Sequence, residues 1–458
     1  MLSHNNFDLF PIMDSRALAT GLYLCLLCGV WSCDGRGSQA GELNRCDDTS
    51  PPVVYVHGFL ASGDTWNQQT ARFVANGKCR RRYWTFDWNT LDRDIDHTGD
   101  LAAFIEGVLE TDESAQVDLI GHSAGGGLGY ELLSSDTGAT LVRRYVHIGS
   151  FPSDGPAGPP NSSIPTLNIW SPADKIVESA DIDGAMNLEI PEVDHYRLAT
   201  NTTSFETIFT FLEGTQPAHL EAEPESDIYL SGKYLTFAEN RVVADSRITL
   251  YEVDETNGRR LSDGRDIEVG PQGGWGPVSL ASGQNIELVA HHPDPEIPPV
   301  RHFRPAPKTT ESHFYLRTMP DPASLAGVLL SQFHRSPNKS IIVIYNASSS
   351  FQFGRDSLTL NGEELLNEDT ASADNTTIAL FVFDVNDDGE DGAISPLFSM
   401  FPFLAAVDRA ISAADGDTIV LSHNGRELKM PRDGRDKGIL LAVFDESASE
   451  GAREEEIK

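Results

Sequence analysis

Gly121-His122-Ser123-Ala124-Gly125 follows the apolar run Val117, Leu119, Ile120 and opens a segment of small residues. That order predicts a strand, a sharp turn and a helix, with a serine at the tip of the turn. A serine held there sits in strained backbone, and strand and helix approach so closely that its neighbours must be small. Gly121, Ala124 and Gly125 meet that demand. A bare Gly-x-Ser-x-Gly also occurs as an ordinary glycine-rich turn, so the surrounding chain has to decide.

Upstream, Val53 to Val56 reads as a strand ending in His57-Gly58-Phe59. A tetrahedral intermediate needs two N–H donors fixed before the reaction begins. The backbone N–H groups of Phe59 and Ala124 are the candidates, and His57 is expected to pack the loop rather than take part. A serine hydroxyl also needs a histidine to accept its proton and a carboxylate to hold that histidine. Beyond Ser123 and before residue 216, the histidines are His147 and His195. His147 lies inside the predicted strand Arg144 to Ile148 and is expected to pack on the sheet. His195 follows the strand Met186 to Ile190, in a loop before the helix Phe205 to Leu212, where a base belongs. For the acid, Asp174 follows the second strand after the elbow, within Ser171-Pro172-Ala173-Asp174-Lys175-Ile176-Val177, and is preferred to Asp154, which follows the first. Asp194 adjoins His195 and is expected to point away from it.

The motifs taken together resemble an α/β-hydrolase of the lipase and carboxylesterase type over about residues 50 to 215. They are the His-Gly-Phe loop, the Gly-His-Ser-Ala-Gly elbow, the Ser-Pro-Ala-Asp turn and the late Asp194-His195 pair. The resemblance implies a mostly parallel sheet flanked by helices with a minimal cap. It also implies ester hydrolysis through an acyl-enzyme on Ser123, with no cofactor and no metal. Helices are predicted at 64–76, 98–110, 124–134 and near 205–213, whereas 150–165 and 175–185 read as loops. A lid would come from residues 152–164, from the loop after Trp88 or from the rest of the chain.

Past residue 216, Pro217 and the acidic stretch Glu221 to Asp227 lead into short alternating runs such as Ile248 to Val253, Ile286 to Ala290, Ile341 to Tyr345, Ile378 to Phe383 and Ile439 to Phe444. Alternation with turn signals predicts all-β modules. The expected division is a signal segment 1–33, a linker 34–50, a catalytic domain 51–215 and β-rich domains 216–335 and 336–458. Tyr234 to Phe237, Arg247 to Tyr251, Gly274 to Pro277 and Phe314 to Arg317 make the whole chain similar to archaeal and bacterial lipases with a C-terminal lipid-binding β domain. That similarity implies a role of the tail toward long-chain, water-insoluble substrate; an ordinary all-β appendage is the alternative. The apolar run Ile394 to Val407 is read as core before lipid-facing surface. Asp384-Val385-Asn386-Asp387-Asp388-Gly389 opens like a calcium loop but has Ser395 at the twelfth position, so an acidic hairpin turn is expected.

A net charge of −35 argues against nucleic acid as a partner and against electrostatic docking on anionic membranes, so membrane contact would have to be apolar; the resemblance implies a lipid ester or a lipid–water interface as the partner. Arg16 followed by the apolar run Ala17 to Trp31 reads as an export signal, too short for a confident membrane span. Cys33 is a possible lipoprotein anchor, and plain secretion stands beside it. In an oxidising compartment, Cys46 and Cys79 are the candidate disulfide. A carboxylesterase or polyester-degrading enzyme, and a non-catalytic surface-binding protein on the same fold, are the competing readings. Oligomeric state is not legible.

Overall fold

The computed structural model describes residues 48–445, except 161, 335–336, 394, 396, 399–400 and 415. Its first half is built on six parallel strands: β1 (Val53–Val56), β2 (Tyr83–Phe86), β3 (Val117–His122), β4 (Val142–Ile148), β5 (Thr166–Trp170) and β6 (Met186–Glu189), in the order β2-β1-β3-β4-β5-β6. Every residue of β1 and β3 is buried, as a sheet covered on both faces requires.

Alternation along β1 divides that cover. Val53 and Tyr55 face a core shared with Phe73 of α1 (Asn67–Ala75), while Val54 and Val56 face Leu101 and Ile105 of α2 (His97–Thr111) and Leu128 of α3 (Ala124–Leu133). A short α4 (Asp136–Leu141) leads into β4, and α5 (Arg197–Thr200) and α6 (Thr202–Glu213) close this half. Asn201 caps α6 by accepting from Ser204 N–H, and Gly214 ends it in the left-handed conformation. After β4 and β5 the connections are irregular loops. The expected helix over 64–76 divides into a 3₁₀ turn, Gly63–Trp66, and α1.

The strand order places β2 on one side of β1 and β3 on the other. At such a switch point the loops after neighbouring strands diverge and leave a crevice at the carboxyl ends. Phe59 follows β1 and Ser123 follows β3, so both sit there.

The tail is all-β. Strands β7 (Asp227–Thr236), β10 (Gly274–Ala281) and β13 (Leu316–Thr318) form one small sheet. Strands β15 (Leu358–Leu360), β16 (Glu363–Glu364), β19 (Thr418–His423) and β20 (Arg426–Pro431) form another. Between them runs an eight-stranded sheet. It comprises β8 (Arg247–Glu252), β9 (Arg265–Glu268), β11 (Ile286–His291), β12 (Val300–Arg304), β14 (Ile342–Asn346), β17 (Ala379–Phe383), β18 (Leu404–Asp408) and β21 (Ile439–Phe444), in the order β18-β17-β14-β21-β12-β11-β8-β9. Its centre is made by β21, parallel to both β12 and β14. Among the described residues no helix is long and apolar enough to cross a membrane.

Candidate active site

Ser123 occupies the turn between β3 and α3 with φ 55° and ψ −122°, a conformation L-residues rarely adopt. What holds it is the lack of side chains around it. A Cβ on Gly121 would lie 2.5 Å from the Gly125 carbonyl oxygen, and one on Gly58 would lie 2.9 Å from the Ser123 Cβ. A Cβ on Gly125 would drive into the Val56 carbonyl oxygen. Glycine at these positions is therefore a condition of bringing β1, β3 and α3 together.

His195 Nε2 is 2.9 Å from Ser123 Oγ, and His195 Nδ1 is 2.6 Å from Asp174 Oδ2. A carboxylate only accepts, so Nδ1–H donates to Asp174, leaving Nε2 free to accept the serine O–H. All three residues are buried. Burial raises the Asp174 pKa, but the hydrogen bond and charge of His195, with the backbone N–H groups of Ile176 and Val177, outweigh it and hold the carboxyl below the usual range. His122, between the β3 strand and the turn, meets the His195 carbonyl through Nε2 at 2.9 Å. Burial, reinforced by His195, holds His122 neutral, its pKa down at about 3.

Ser123 opens onto a cleft bordered by Phe59, Ala124, Tyr130, Ile176, Pro402 and Phe403. Ala124 heads α3, where backbone N–H groups have no partner within the helix. Among the described residues neither Phe59 N–H nor Ala124 N–H is engaged in a hydrogen bond. His57 is fully buried behind this loop, its imidazole turned to Gly58 O, Trp88 N and Asn240 Nδ2 rather than to the cleft. His147 lies on β4, bonded to Tyr145 and to the Phe151 carbonyl. Asp154 is exposed on the loop after β4, and Asp194 turns from His195 to pair with Arg355 at 2.9 Å.

Two contributors lie far along the chain and carry no local signal. Phe403, in the left-handed region at φ 73°, stacks on the His195 ring at a centroid distance of 5.9 Å. With Tyr196 and Ile378 it forms an apolar cluster, packed by Phe59, Ile176 and Tyr345. Phe398, from the same apolar run, is core. The second is Asn240, considered below. Cys79 is disulfide-bonded; Cys46, its expected partner, and Cys33 lie outside the described residues. In the acidic turn, Lys339 pairs with Asp384 and with Asp387, the latter at 2.9 Å.

Residues 51–179 match the family model for the alpha/beta hydrolase fold, residues 226–318 match a lipase C-terminal domain, and residues 329–435 match a further C-terminal domain model. Among solved structures, the mature lipase BlEst2 of Bacillus licheniformis is 17% identical, matched over 36% of this chain and 93% of its own, with a TM-score of 0.29. Its propeptide form matches over 70% of this chain and 84% of its own at 13% identity and a TM-score of 0.30. Aspergillus fumigatus lipase B is 13% identical over 38% of this chain and 55% of its own, with a TM-score of 0.30. By these matches the first half carries the alpha/beta hydrolase fold, and C-terminal β domains follow it, the first of them matching a lipase C-terminal domain.

Proposed function

We propose that this chain is an exported serine ester hydrolase, a triacylglycerol lipase that cleaves acylglycerol esters through an acyl-enzyme. The observation that carries the reading is the hydrogen-bonded series Ser123, His195, Asp174 at the floor of a mostly apolar cleft. Ser123 Oγ attacks the ester carbonyl as His195 Nε2 takes its proton, and Asp174 holds the imidazole in the tautomer that can do so. The carbonyl oxygen gains charge between Phe59 N–H and Ala124 N–H. His195 then protonates the departing alcohol, and a water deprotonated by the same nitrogen releases the fatty acid from Ser123.

Support for a long acyl group comes from the walls. Tyr345 and Ile378, which pack with Phe403 beside the cleft, also line a mostly apolar cavity with Phe314, Leu329, Val343 and Phe381, edged by Asp64 and Arg317. Burial of each methylene contributes about 0.8 kcal/mol, so an extended apolar lining favours longer chains. Export is supported by the disulfide at Cys79, a bond that persists outside the reducing cytosol.

The test is twofold. A fluorophosphonate probe is expected to label Ser123 in the folded protein, and p-nitrophenyl decanoate is expected to be turned over better than the acetate. Acetate preference would move the assignment to a carboxylesterase; absence of labelling would leave a non-catalytic hydrolase fold.

A further inference from the structure

The reaction requires Phe59 N–H to be held in place before substrate arrives, yet the turn that carries it has little of its own to hold it. Within that turn the backbone bond is Ala61 N–H to Gly58 O at 3.2 Å, and Leu60 sits at φ 59°. The remaining restraints come from outside. Leu60 N–H donates to Thr90 Oγ1 at 3.0 Å, Trp88 Nε1–H donates to His57 O at 3.1 Å, and one side-chain amide, that of Asn240, does the rest.

Asn240 belongs to the turn after β7, in the tail. Its Nδ2 lies 2.8 Å from Ala61 O, 3.1 Å from Trp88 O and 3.3 Å from His57 Nε2. His57 Nδ1–H donates to Gly58 O at 2.9 Å, and the single Nε2 lone pair accepts from Trp88 N–H at 3.2 Å. The two amide hydrogens thus reach Ala61 O, at the end of the Phe59 turn, and Trp88 O, on the loop whose N–H holds the His57 imidazole at the start of that turn. Asn240 is buried and its backbone is left-handed at φ 53°, a conformation asparagine tolerates better than most residues. A residue placed only to fill space has no reason to be a donor facing two carbonyl oxygens.

We propose that Asn240 is a positioning residue for ester hydrolysis: the β-rich tail, through this amide, sets the oxyanion loop of the hydrolase half. The proposal rests on the reading of Ser123 and Phe59 given above. It assigns the tail a part in the chemical step that is separate from any contact with substrate.

Asn240→Gly keeps the left-handed backbone and removes the amide; Asn240→Asp keeps the shape and sets an anion against the carbonyl oxygens of Ala61 and Trp88. In both full-length variants, kcat on p-nitrophenyl butyrate is expected to fall about 10- to 100-fold with KM within about threefold. Inhibition by a trifluoromethyl ketone, which forms a tetrahedral adduct, is expected to weaken by the same factor, and hydrogen exchange at residues 57–61 to quicken while β3 stays protected. A kcat within twofold of the parent, a change confined to KM, or an unchanged inhibition constant would each overturn the proposal. So would failure of both variants to fold, because Asn240 would then serve general stability. Unlabelled, inactive parent protein would sink the hydrolase reading itself, an outcome distinct from active variants.

Discussion

Asp174 feels two opposing influences, burial pushing its proton on and His195 with two backbone N–H groups pulling it off, and the second prevails. It is accordingly a carboxylate at neutral pH. Asp174→Asn is expected to lower kcat roughly 10³- to 10⁴-fold, because the amide no longer selects the tautomer that leaves Nε2 free. Ser123→Ala is expected to cost about 10⁴-fold or more and to abolish phosphonate labelling. Both are read by ester hydrolysis at neutral pH in protein with an unchanged circular dichroism spectrum. Retention of turnover in Ser123→Ala would remove the acyl-enzyme from the mechanism.

The junction of β1, β3 and α3 depends on absent side chains, so Gly125→Ala is expected to prevent folding or to lower stability by more than about 2 kcal/mol, read by urea unfolding. The β3–α3 part of that junction was legible in the chain because its demands are local: an apolar strand, a run of small residues and a helix within about twenty positions. Asp174 and His195 were legible at one remove, by counting strands until each fell at the end of the right one. The tail was legible only as alternation. Strands β12, β18 and β20 lack clear signals because their sequences carry little alternation of their own, and pairing with β11 and β21, with β17 and with β19 makes them strands. Nothing near Asn240, Arg355 or Phe403 announced a role either, because the groups they meet, at Ala61, Asp194 and His195, lie more than a hundred positions away. Arg355 pairs with Asp194 and Asp356 in a largely buried position. Arg355→Ala is expected to lower stability by about 1.5–3 kcal/mol, as loss of hydrogen bonds to charged groups does.

Across the molecule several imidazoles are buried and neutral: burial holds His122, His302 and His313 at about 3 and His147 at about 4. Each folded value lies below that of the unfolded chain, about 6.5, so on acidification the unfolded state takes up protons first. Their contribution is complete above about pH 6.5 and is lost as pH falls toward 4 and 3. Melting temperature is therefore expected to drop between pH 7 and pH 4.5 at constant ionic strength; a flat profile would contradict this accounting. The position of β21 has another consequence. It is the last described strand to be synthesised, yet it lies in the middle of the eight-stranded sheet, bridging β12 and β14. Ribosomal order and spatial order are thus opposed: the early strands wait with open edges until residue 444 emerges. A premature stop codon shortly before residue 439 would remove a keystone rather than trim an end, and would leave β12 and β14 facing an empty lane in the middle of the sheet.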